Sequence, residues 1–204
     1  MSQPTARRAA GRQTQRKKAQ SKPNRLPLII VIVGLAVIVI GAVLIYSGGG
    51  GSGTAVVQQF PQQAAAPHLG SPTDPHEPYN SNPPTSGLHI GSTAPFGVQT
   101  QPIADEITTH NLEHGGVIIH YRQDLDKASV DQLTALTREL QRQSPCILLL
   151  PRPVDKLDTP VAVTAWTWLL KDQKVDSQTL NSIRSFFRQH VDQGPEKLGC
   201  QLRS

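Results

Sequence analysis

The sequence predicts a small α+β domain of element order loop-β-α-β-β-α, preceded by one transmembrane helix and a flexible linker. Three observations carry that expectation. Leu26 to Tyr46 is an uncharged apolar run of 21 residues. The C-terminal half alternates short apolar, strand-like runs with two amphipathic helical stripes. Between the two lies a stretch rich in Gly, Pro, Gln and Ser with no periodicity.

Charge divides the 204 residues unevenly. Eight of the 20 Lys and Arg precede residue 26, and no acid precedes Asp74. The remaining 12 cations face 15 Asp and Glu, a balance of −3. The basic character therefore belongs to residues 1–25, a tail expected to be disordered and cytoplasmic, and it implies no nucleic-acid partner for the folded part.

Residues 26–46, LPLIIVIVGLAVIVIGAVLIY, are long enough as a helix to cross about 30 Å of hydrocarbon. Helical geometry is required there, because lipid satisfies no backbone polar group. The cations lie before the segment, and the first one after it is Arg122. Positive flanks stay inside, so the expected topology is a single-pass anchor in the cell membrane, N-terminus cytoplasmic and C-terminal domain extracytoplasmic. A cleaved signal peptide is the alternative, but its apolar core is normally shorter. No cysteine stands near the boundary, which excludes a lipoprotein anchor.

Residues 47–78 read as a flexible linker. It opens with SGGGGSG and continues rich in Gln, Ala and Pro. His68 and His76 fall here, where a histidine is ordinarily just solvated. The folded domain is expected over residues 79–204. It begins with an irregular loop, YNSNPPTSGLHIGSTAPFG, in which Pro83 and Pro84 remove two donors. Val117 to Tyr121 alternates as a strand. Ser129-Val-Asp-Gln132 is a capping box, followed by the stripe Val130, Leu133, Leu136, Thr137 and Leu140. That helix must stop by Ser144, before Pro145. CILLLP (146–151) and PVAVTAW (160–166) are the next strands. Asp176 or Ser177 caps a last helix with Leu180, Ile183, Phe187 and Val191 on its buried face. Part of a ferredoxin-like arrangement fits this order, and so does the C-terminal half of a thioredoxin-like one. Trp166 and Trp168 read as core or core edge. His190, in the last helical turn, reads as a cation suited to the helix dipole.

Cys146 and Cys200 are the two cysteines. In an exported domain an even number suggests a disulfide, here closing about 54 residues. The alternative is a buried Cys146 and a free Cys200.

Two stretches carry a resemblance. Asn82-Pro-Pro-Thr-Ser-Gly-Leu-His89 and His110-Asn-Leu-Glu-His-Gly-Gly-Val117 resemble the paired signatures of the bacterial domain-of-unknown-function family 3105. LLLPRP and PVAVTAW resemble that family's downstream strands, and the likeness covers roughly residues 79 to 195. One departure is Leu88, where such sequences often have Pro. An N-terminal membrane segment suits the family, which implies no established activity.

His89, His110, His114 and His120 fall within 32 residues, with Glu113 among them. Neutral imidazole is the commonest metal ligand. In a helical turn His110 and His114 lie on one face and can share an ion. In a strand they stand about 13 Å apart and cannot. The preferred set is His89, His110 and His114, with Glu113 as ligand or as orienter of a histidine, and copper or zinc as the metal. A structural reading stands beside it: the histidines bond backbone groups that the irregular loop leaves unpaired. Under that reading the chain is a non-catalytic interaction module, an accessory subunit with a membrane-protein partner. The pattern H-x-x-E-H also occurs in zinc peptidases, but there it needs a long helix and a distant third ligand. Ser86 with a histidine and Glu113 supplies the residue types of a hydrolase triad, without a nucleophile elbow.

Overall fold

The computed structural model describes residues 43–44 and 55–203. The expected cytoplasmic tail (1–25) lies outside the described residues, as does the membrane segment except for Val43–Leu44. Those two residues, expected as the end of the membrane helix, instead form a short strand, β1, paired antiparallel with residues 57–58. Among the described residues no helix is long and apolar enough to cross a membrane.

The centre of the domain is a β-α-β unit. β4 (Val117–Arg122) begins with four buried residues, and β5 (Ile147–Arg152) is buried throughout. Such continuous apolar runs suit strands covered on both faces. They pair in parallel, Val117 opposite Ile147 through Arg122 opposite Arg152. A parallel neighbour needs a crossover, and α2 (Lys127–Gln141) supplies it. Its buried stripe is Leu133, Leu136, Thr137 and Leu140. The cap is Asp126 rather than the expected Ser129. The Asp126 carboxylate accepts from the Ser129 backbone N (2.9 Å) and hydroxyl (2.6 Å), so the helix starts a turn earlier.

β6 (Val161–Ala165) lies antiparallel on the other side of β4, and β7 (Trp168–Asp172) lies antiparallel to β6. The hairpin between them turns through Trp166 and Thr167, with Thr167 at φ 65°. Its backbone is held on both sides: Thr167 N donates to Thr85 O (2.9 Å) and Phe60 N donates to Thr167 O (2.8 Å). β7 has no counterpart in the sequence expectation, which ends the strands at residue 166, because WTW carries no Gly or Asn to announce a turn. α3 (Ser177–His190) starts at Asp176, which accepts from Gln178 N and Thr179 N at 2.9 Å.

Two more strands, β2 (Val56–Gln59) and β3 (Gly97–Val98), complete one sheet of order β1-β2-β7-β6-β4-β5-β3. The domain is thus of mixed α/β class, with three described helices, the third being α1 (Asp105–Glu113). β4 and β5 are neighbours, and the β6–β7 hairpin adds beyond β4. A ferredoxin-like sheet would instead separate the strands flanking its first helix.

Alternate residues feed two cores. Val117, Ile119, Ile147 and Leu149 pack with Leu133, Leu136, Leu140, Ile183 and Phe187, so α2 and α3 cover one face. Ile118, Leu148 and Leu150 pack with Leu112, Ala94 and Trp166 on the other, where α1 and the irregular chain lie. Cys146 and Cys200 are disulfide-bonded, which removes the free-thiol alternative. At a sequence separation of 54 the crosslink contributes about 4 kcal/mol by loop entropy.

Three expectations need correction. Residues 47–78 are not linker throughout: from residue 55 the chain is part of the fold, and β2 pairs with β7 from Val56 opposite Lys171 to Gln59 opposite Trp168. β2 is the largely exposed VVQQ, which has no apolar alternation to signal it. α1 was not foreseen, since its buried face is largely polar. His190 is not a cation suited to the helix dipole. It is buried against the rings of Trp168 (4.7 Å) and Phe186 (4.5 Å), and burial lowers its pKa to about 4.

Candidate metal centre

The centre is built on the last turn of α1. The helix begins with Asp105 and Glu106, whose charges suit the positive end of its dipole. Asp105 also pairs with the Arg152 guanidinium at the end of β5. Thr108, Thr109, His110, Asn111, Leu112 and Glu113 are all buried. The helix stops at Glu113 because the glycines of HNLEHGG close it. Gly115 takes φ 82°, Gly115 N donates to Leu112 O (2.9 Å) and Gly116 N to Asn111 O (2.8 Å). This is a Schellman closure, which places a left-handed residue just past the helix.

The proline loop is fastened to this helix. Asn111 accepts from Ala94 N and donates to Ala94 O, both at 2.8 Å. Ile90 N donates to Glu106 O (2.9 Å). His89, just before the Ile90 tie, is fully buried. Its Nδ1 donates to Gly87 O (2.8 Å), and its Nε2 lies 2.9 Å from Glu113 Oε2. The chain before the loop is tied in turn: Leu69 N donates to His89 O (2.8 Å), and Leu69 bridges Ile90 in parallel. That bridge carries His68 to the cluster.

Glu113 Oε2 is the hub. It lies 2.9 Å from His89 Nε2, 3.6 Å from His110 Nδ1 and 3.7 Å from His68 Nε2. One donor atom from each of His68, His89, His110 and Glu113 lies within 4.8 Å of the others, a set that could hold a metal ion. Donors sharing one ion at about 2.0–2.1 Å stand roughly 2.9–3.4 Å apart, so little closure is needed.

The hydrogen bonding favours a cation here. With the His89 Nδ1 proton on Gly87 O, the neutral ring turns its Nε2 lone pair onto a carboxylate oxygen. Two acceptors in contact call for a cation or a proton between them. A ligating histidine whose other nitrogen donates to a carbonyl is the usual supporting arrangement at metal sites. His110 Nδ1 is buried with no hydrogen-bond partner among the described residues. Burial, then the neighbouring His114 and His89, lowers the His110 pKa to about 4. His110 is therefore neutral at pH 7 with a free lone pair. Three of the four side chains are buried, while the His68 side chain is 43% exposed, so the cluster opens to solvent on that side.

Of the residues expected from sequence, His89, His110 and Glu113 come together. His114 does not join them. It caps α1 one residue past Glu113, its ring rests on His110 at 4.2 Å, and its Nε2 reaches Glu196 Oε2 at 3.1 Å. His114 thus pairs with Glu196, although a donor atom of Glu113 also lies within 4.8 Å of it. His120 is buried in β4, with Nε2 2.9 Å from Thr164 Oγ1, and burial drives its pKa well down. Ser86 is buried and accepts from Gln63 N (3.0 Å). His68, which the sequence places in the linker, joins through the Leu69–Ile90 bridge, a tertiary contact.

A protein-family model described as "Protein of unknown function (DUF3105)" matches residues 73–201. The chain belongs to the DUF3105 family. No curated protein and no solved structure matches it. Within this DUF3105 chain the matched span contains His89, His110, Glu113, His114 and Glu196, while His68 precedes it.

Proposed function

We propose that this chain is a membrane-anchored, extracytoplasmic domain that binds a transition-metal ion through His68, His89, His110 and Glu113. The observation that carries the metal is the convergence of three imidazoles on Glu113 Oε2, one of them with a buried, unpartnered nitrogen. The anchor is supported by the uncharged run 26–46 behind eight cations. The Cys146–Cys200 disulfide suits an oxidising compartment. Three imidazoles and one carboxylate suit zinc or copper(II). The domain would hold or deliver that ion at the outer membrane face, with His68 on the side of entry.

The test uses the full chain in mild detergent, loaded with zinc or copper(II), dialysed, and assayed for metal by mass spectrometry. The wild type retains at least one equivalent, and His89→Ala with His110→Ala lowers the content by one. Wild type without metal would end the proposal. A fragment starting at Tyr79 is unsuitable, since it lacks β2 and His68. A second reading is favoured by the two bonds of His89: as an imidazolium it ties the proline loop to α1 in an accessory subunit of a membrane complex. It predicts no metal, a large stability loss in His89→Ala, and a co-purifying membrane protein.

A further inference from the structure

We infer that the centre is dinuclear, with a second divalent ion held by Glu113, His114 and Glu196. The inference rests on the metal-binding reading above and extends it. One donor atom from each of these three residues lies within 4.8 Å of the others, and His114 Nε2 is 3.1 Å from Glu196 Oε2. Glu113 thus belongs to both sets. A carboxylate has two oxygens and can give one to each ion, which is how paired ions about 3.5–4 Å apart are held. The contact between the His110 and His114 rings keeps the two sets adjacent.

The backbone around Glu196 is placed with care that a surface ion pair does not require. Glu196 N donates to Glu113 O (3.0 Å), and Asp192 N donates to Gly115 O (2.8 Å). Between them Gly194 runs so close to the end of α1 that a β-carbon there would collide with the backbone of Leu112, Glu113 and Gly115. The far end of the segment is pinned by the disulfide and by Ser144 Oγ donating to Cys200 O (2.6 Å). The C-terminal segment is thereby locked across the helix end, and it delivers one carboxylate beside the histidine left out of the first set.

The two ions would differ in character. The first has four protein ligands, three of them buried. The second has three, one of them Glu196, whose side chain is 54% exposed. Three ligands and an open position make a site that can take water or a small anion, whereas four ligands close a site. The outer ion is therefore the exchangeable one.

The full chain in detergent, titrated with zinc and counted by native mass spectrometry, tests this. The wild type takes up two ions, while Glu196→Ala and His114→Ala each take up one. With copper(II), the two-ion wild type gives an electron paramagnetic resonance intensity well below two spins, because a shared carboxylate couples them. The exposed Glu196 can be replaced without disturbing the fold, which circular dichroism checks. One ion in the wild type, or two that survive both substitutions, overturns the dinuclear centre and leaves the first site standing. No ion in the wild type overturns both.

Discussion

Asn111→Ala should unfasten the loop that carries His89. Asn111 is fully buried, and its amide satisfies both backbone groups of Ala94, each at 2.8 Å. Ala94 is itself 4% exposed, so water does not readily replace the lost partner. Leaving a buried donor and a buried acceptor unpaired costs about 1–3 kcal/mol apiece. Part is recovered because the alanine buries no amide of its own, so the net loss should be about 3 kcal/mol. At about 2–4 °C per kcal/mol for a domain of this size, the thermal midpoint should fall by roughly 6–12 °C. Urea unfolding followed by tryptophan fluorescence reads the free energy, and calorimetry reads the midpoint. Because Ala94 closes the loop that starts at His89, zinc affinity should also fall, by roughly tenfold or more, as for other groups that orient ligands. A stability loss under about 1 kcal/mol with unchanged zinc affinity would refute the view that Asn111 holds the site together.

Two further outcomes test the surrounding fold. His190 titrates near 4 when folded, against an ordinary 6.5, so the unfolded chain takes up its proton first. Its contribution to stability should be complete above about pH 6.5 and decline as the pH falls toward 4. His190→Phe, which keeps a ring against Trp168 and Phe186, should flatten that decline in urea midpoints, leaving the share due to buried His110 and His120. An unchanged slope would show that His190 is not involved. Thr167 sits at φ 65°, where a side chain costs about 1–2 kcal/mol, while glycine carries an entropy penalty of about 0.5–1. Thr167→Gly should therefore be more stable by about 0.5–1 kcal/mol in urea unfolding, and a less stable variant would contradict the strain.

The elements with an apolar rhythm were legible in the sequence. β4, β5 and β6 are short buried runs, and α2 and α3 bury stripes at helical spacing, so the hydrophobic effect writes them into the residue order. Asp176 as a cap and the Cys146–Cys200 pair were legible too, since each rests on residue type and local position. α1, β2 and β7 were not. α1 buries threonines, an asparagine, a histidine and a glutamate, and such a face follows no hydrophobic period. β2 is a largely exposed strand, and its place is set by pairing with β1 and β7. The site divides the same way. That histidines cluster with Glu113 near the proline loop could be read from spacing. Which of them share that carboxylate could not. His68 arrives through a bridge between residues 69 and 90, and His114 is claimed by Glu196 from the far end of the domain. Sequence determines the donors on offer, because side-chain chemistry is local. Only the tertiary structure decides which donors meet, because that depends on backbone hydrogen bonds between segments distant along the chain.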